Sequence, residues 1–150
     1  MIPRWFGQRY PTMEDMEAFA WELGAVVVVG PSPAPVYFPG ELGDPVILIP
    51  DSLGPLATAW ALAHELGHLV QHAGAKTCHT YGRDEAAANR WAACALIPLE
   101  RIYKYNNASI DAFVGALSAH YEHLSGGNSD ARRLAGLIAL TRLQALRCTA

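Results

Sequence analysis

The sequence predicts an α+β protein, with a short and mostly antiparallel three-stranded sheet packed on one long buried helix and a helical C-terminal part. Three observations predict it. Residues 56 to 73 hold no proline and are apolar on nearly every face, with Leu56, Trp60, Leu62, Leu66, Leu69 and Val70, which is the pattern of a central helix rather than a surface one. Ahead of it lie three short β-branched or apolar runs, Ala25 to Val29, Val36 to Phe38 and Val46 to Ile49, separated by proline- and glycine-rich breaks. Behind it the chain is helical in period, with Arg83 to Leu96, Ser109 to Leu124 and Ser129 to Arg147 as separate segments.

Each element has a local reason. Thr12 and Asp15 approximate a capping box, and Met13, Met16, Phe19, Ala20 and Leu23 recur at helical spacing up to Gly24, so a first amphipathic helix precedes the strands. Gly30-Pro31-Ser32-Pro33-Ala34-Pro35 breaks the strand region, and proline cannot donate inside a ladder, so part of the sheet must be an edge. Such an edge is either protected or free to accept an extended peptide as an added strand. Pro55 suits a first helical position and Gly74 a stop, which predicts a helix over 55–73. Ile97-Pro98 ends the next helix, and Ser125-Gly126-Gly127-Asn128 divides the tail.

At 150 residues the chain can bury one real core, and residues 1–150 read as one domain, with a core over 11–98 and a helical extension over 99–150. Hydrophobic residues make up 51% and charged residues 17%, which excludes a disordered chain. A net charge of −3 supplies no general attraction to nucleic acid or anionic membrane. The start, Met-Ile-Pro-Arg-Trp-Phe-Gly, lacks the form of a signal peptide and no run is long enough for a membrane span, so a cytoplasmic protein is expected. Cys78, Cys94 and Cys148 are odd in number and widely spaced, which reads as reduced thiols.

The central helix carries His-Glu-x-x-His at His64, Glu65 and His68. Histidines four apart share a helix face and can place two imidazole nitrogens on one metal ion, while Glu65, about 100° round, stands beside the ion as a base. A catalytic zinc takes three protein ligands, so a third is required. In the next helix Glu85, Ala88, Asn89 and Ala92 share one face, and its many alanines allow a neighbouring helix to come close. Glu85 is the expected third ligand, with Asn89 one turn on holding a histidine or Glu85 by hydrogen bond. His72 is the rival. Gln71 and Gly74, however, stand where a metzincin would place its glycine and third histidine.

Asp44 to Ile49, then Trp60-Ala61-Leu62-Ala63-His64-Glu65-Leu66-Gly67-His68, then Glu85 to Pro98 together resemble the ImmA/IrrE family of zinc metallopeptidases. The resemblance implies a small zincin-like domain of the gluzincin type, with His64, His68 and Glu85 holding zinc and Glu65 as catalytic base. It also implies a polypeptide substrate, of which a helix-turn-helix repressor is the kind many members cleave. Alanine at 95, where leucine is usual, and Thr58 and Ala59, where basic residues are frequent, depart from the family pattern without removing a ligand.

The expected chemistry is hydrolysis of a peptide bond in a protein substrate, with Zn2+ as cofactor. An oxyanion donor should exist, and His79, Tyr103, Tyr105, His120 and His123 are all candidates that the sequence does not separate. The alternative is a zinc-stabilised protein-binding module of a phage or toxin–antitoxin regulator, which would not need Glu65. Arg132, Arg133, Arg142 and Arg147 do not form one stripe, so the tail reads as solvated helix rather than a DNA-reading one, and nucleic acid is not the expected partner.

Overall fold

The computed structural model describes residues 2–38, 44–72, 81–98, 100–101, 110–121 and 129–149. In chain order the elements are α1 (Met13–Glu22), β1 (Val26–Gly30), β2 (Val36–Phe38), β3 (Val46–Pro50), α2 (Pro55–His72), α3 (Tyr81–Leu96), α4 (Ile110–Tyr121) and α5 (Ser129–Thr149). The α+β class expected from the sequence is observed.

The first helix begins as its sequence dictates. The Thr12 side chain accepts from the Asp15 amide at 3.0 Å, and the Asp15 carboxylate accepts from the Thr12 amide at 2.8 Å, so two otherwise orphaned donors are paired. Met16, Phe19 and Ala20 form its buried face. Gly24 follows with φ +84°, a left-handed conformation that ends the helix and sends the chain into β1.

The sheet corrects the expectation of mostly antiparallel strands. Its order is β1-β3-β2, with β1 parallel to β3 through five residue pairs, Val26 with Val46 through Gly30 with Pro50. Only β2 pairs antiparallel with β3, through Val36 with Leu48, Tyr37 with Ile47 and Phe38 with Val46. Position in the sheet explains the directions. The most apolar run, Val46 to Ile49, takes the central place, where Ile47 and Ile49 are fully buried. The three-residue β2, bracketed in sequence by Pro35 and Pro39, can serve only at an edge. The Pro31–Pro35 connection therefore carries the chain past the end of the central position, and β3 returns between its predecessors, running with β1.

Helix α2 is the hub. It touches α1, α3, α4, α5, β2 and β3, and Leu56, Leu62, Ala63 and Leu66 on it have no exposed surface. Its observed end, His72, falls one residue short of the 55–73 expected, within ordinary variation of helix ends. Helix α3 starts two residues earlier than expected and lies along α2. The tail helices are part of the packed body. Phe113 and Leu117 of α4, and Ala135, Ile138 and Ala139 of α5, belong to the same buried cluster as α2 and β3.

One expectation for the tail fails. Arg142 is 6% exposed rather than solvated, and its Nε donates to the Ile97 carbonyl at 3.3 Å, just past the end of α3. A cation at that point faces the negative end of the helix dipole, which explains how burial is tolerated. Arg132 and Arg133 are exposed.

Candidate metal centre

His64 and His68, one turn apart on α2, direct their Nε2 atoms to the same point, 3.1 Å from each other. Glu85, from the first half of α3, closes the group: one carboxylate oxygen lies 3.1 Å from His64 Nε2 and the other 3.0 Å from His68 Nε2. Among the described residues these three form the group able to hold a metal ion. The donor set fits one. A tetrahedral ion with bonds of 2.0 to 2.1 Å separates its ligand atoms by about 3.3 Å, close to the spacing seen here. Ring nitrogens and carboxylate oxygens are borderline-hard donors of the kind that first-row divalent ions take.

The helix-to-helix distance that allows this is set by Gly67. A Cβ built there would stand 2.8 Å from Ala88 Cα and 2.9 Å from its carbonyl oxygen, both backbone atoms that cannot swing aside. Glycine inside a helix costs about 1 kcal/mol relative to alanine. Here that cost is offset by close contact with α3, which brings a carboxylate on one short side chain up to two histidines on another helix. The alanines at 88 and 92 are completely buried on the facing side.

Asn89, one turn beyond Glu85, holds His64: the imidazole Nδ1–H donates to the Asn89 side-chain oxygen at 2.8 Å. With Nδ1 carrying the proton, Nε2 presents its lone pair to the shared point. Glu65 is buried, at 6% exposure, and lines the same cleft as His64, Glu85 and Asn89. Burial pushes the Glu65 carboxyl up to about 7, and the negative charge of Glu85 adds to the rise. The cleft, about 410 Å³, is lined by these polar groups together with Pro35, Leu53, Ala57, Trp60 and Ala61.

Of the residues singled out from sequence, the structure brings His64, Glu65, His68, Glu85 and Asn89 together. The side chain of the rival ligand His72 lies outside the described residues, as do Cys78, His79, Tyr103, Tyr105, His123 and the side chain of Cys148. His120 stacks on Tyr10, with ring centroids 4.2 Å apart. Sequence reasoning noted the small residues of α3 but missed Gly67 as the partner they meet. A glycine kept within an otherwise strong helix was the available signal. The apolar pattern of α2 points Trp60 to the core, whereas it lines the cleft.

A family model described as the IrrE N-terminal-like domain, a peptidase family, matches residues 30–123, a stretch that contains β2, β3, α2, α3 and α4. Neither a curated protein nor a solved structure matches the chain. The matched stretch is more than half of the sequence and includes every residue of the His64–His68–Glu85 group, and the chain therefore belongs to the ImmA/IrrE family of metallopeptidases.

Proposed function

We propose that the protein is a zinc-dependent endopeptidase of gluzincin type, in which His64, His68 and Glu85 hold the metal and Glu65 is the catalytic base. The observation that carries this reading is the convergence of two Nε2 atoms and one carboxylate within about 3.1 Å, with a buried, unligated glutamate beside them on an open cleft. Two imidazoles and one carboxylate favour zinc among the available divalent ions. When bound, the ion supplies Lewis acidity, acidifying water and polarising the scissile carbonyl.

The protein's own groups do the rest. Glu65, buried beside the donor group on the same cleft, takes the proton of the attacking water and delivers it to the departing amine. Asn89 keeps the His64 ring in one orientation and tautomer. The substrate is a polypeptide. The family resemblance offers a helix-turn-helix repressor or another regulator as its type, and a cytoplasmic setting accords with there being no helix among the described residues long and apolar enough to cross a membrane.

Elemental analysis of the purified wild type, Glu85→Ala and Glu65→Gln, together with cleavage of a proteome-derived peptide mixture, tests the reading. About one zinc per chain is expected in the wild type and in Glu65→Gln, with clear loss in Glu85→Ala. Cleavage should be present in the wild type and absent from Glu65→Gln. Retained cleavage in Glu65→Gln would instead favour a different base, and zinc without cleavage in the wild type would favour a binding module.

A further inference from the structure

The two edges of the sheet are finished differently. The edge at β2 is three residues long and is entered through Pro35, whereas β1 runs Val26-Val27-Val28-Val29-Gly30 without a charge or a proline, the usual guards of an open edge. The Val26 N–H donates to the Pro45 carbonyl and the Gly30 carbonyl accepts from the Asp51 N–H, so the even-numbered residues of β1 bond to β3. Backbone groups alternate sides along a strand. The N–H and C=O groups of Val27 and Val29 therefore point away from β3, to a side on which no described strand lies. Side chains there are open as well. Val29 stands on the same side of the sheet as Val27, which packs on the core, yet it is 52% exposed, and Trp21, at the end of α1 just before the turn into β1, is 71% exposed.

We propose that β1 is the interface between two copies of the chain, which pair antiparallel about a two-fold axis through Val28. Register selects this arrangement. With Val28 opposite Val28, each Val27 faces a Val29 of the other copy and exchanges both backbone hydrogen bonds with it. Centring on Val27 would set Val29 against Ala25, whose N–H is already given to the Ala20 carbonyl at 2.8 Å. Centring on Val29 would set Val27 against Pro31, which has no N–H to give. Of the three, only the Val28 register pairs every outward group. Charge and shape agree with it. The axis lays the start of one strand beside the end of the other, so Glu22 approaches the uncharged stretch 31–34 rather than its own copy, and Trp21 approaches the bare Val29. A tryptophan offers about 150 to 250 Å² for burial, so two such rings with the exposed valines bring the buried total toward about 1,000 Å², the lower end of specific interfaces. Helix α1 packs on β1 and α2 on β2 and β3, and the cleft opens beside Pro35, so both metal groups stay accessible at the far ends of a six-stranded sheet. Pairing is thus independent of the peptidase reading.

Sedimentation velocity of the full chain over about 1 μM to 1 mM, the range expected of a small interface, tests the pairing. The wild type should pass from one chain per particle to two. Val28→Lys sets two ammonium groups directly opposite each other and should stay a single chain at every concentration, with unchanged zinc content. Trp21→Ser should weaken association roughly tenfold or more. Because Val28→Lys can disturb folding, oxidative cross-linking of Val28→Cys supplies a second reading. Opposed residues of a non-hydrogen-bonded pair stand about 4.5 Å apart between Cα atoms, within reach of a disulfide, so a covalent dimer should form. Neither the wild type, with its own cysteines, nor Val26→Cys, which faces Gly30, should give one. A wild type that remains a single chain throughout overturns the proposal, as does a dimer that survives Val28→Lys or cross-links as readily through Val26→Cys.

Discussion

On the side of α3 that meets α2, Ala88 and Ala92 are fully buried and Gly67 lies so near that a single methyl group would collide with backbone. On another side of the same helix Trp91 stacks on Phe19 at 6.1 Å between centroids and meets Phe6 at 5.1 Å, while Trp5 packs edge-on against Phe19. Small residues thus define how near α3 comes to the histidines, and large rings press it there. The contrast separates two kinds of contribution. The aromatic side supplies buried area and therefore stability, whereas the glycine–alanine side supplies position, on which the donor group depends.

Substitutions at Phe19, Gly67, Asn89 and Asp15, taken from the largest expected effect to the smallest, break or sharpen that contrast. Phe19→Ala removes a ring that is 1% exposed and should cost about 3 to 5 kcal/mol, measured by denaturant unfolding. Molecules that remain folded should still retain zinc. If they do not, the aromatic side also sets position. Gly67→Ala should behave in the opposite sense. Improved helix propensity offers up to about 1 kcal/mol, overpacking costs about 1 to 3, and the net loss of stability is small beside a large loss of zinc affinity. Adding Ala88→Gly should not restore binding, because the obstructing atoms are Cα and carbonyl oxygen; recovery of zinc in the double variant would show that the contact is not what holds the helices apart.

Asn89→Ala leaves both helices in place and should lower zinc affinity by about 10- to 100-fold, read by competition with a chelator. An unchanged affinity would mean that His64 needs no orienting partner. The smallest effect belongs to a site away from α3. The Arg9 guanidinium, bonded to Asp15, holds its carboxyl well below the usual carboxylate range, with the Thr12 groups adding to the fall and burial opposing it. A depressed folded value means that Asp15 stabilises the protein above its ordinary pKa and ceases to do so as pH falls toward the folded value. Asp15→Asn should therefore flatten the acid side of a stability profile while leaving zinc content at neutral pH unchanged.

Much of this architecture is legible in the chain because its causes are local. Thr12 and Asp15 mark a helix start by bonding to each other's backbone, and Pro55 and the proline-free run behind it mark α2 with its histidine pair. Glu85 and Asn89 are legible as a pair because four residues on a helix share a face. Strand direction is not local. It depends on the route taken by residues 31–35, and the sequence of β3 tells only that it is apolar enough for the centre, not that β1 runs beside it in the same sense. Gly67 and Arg142 are illegible for a related reason. Each answers to a partner, Ala88 or the Ile97 carbonyl, that is distant in sequence.

The buried guanidinium of Arg142 has a consequence for where the molecule can be cut. Similarity to the peptidase family runs over residues 30–123, and α5 lies wholly beyond it. Yet α5 lays Ala135, Ile138 and Ala139 into the common core and closes the end of the helix that carries Glu85. A chain trimmed to the family's borders would keep every proposed ligand. It would also expose an apolar face and leave the Ile97 carbonyl without its cation, so the border of resemblance and the border of the cooperative folding unit are different lines.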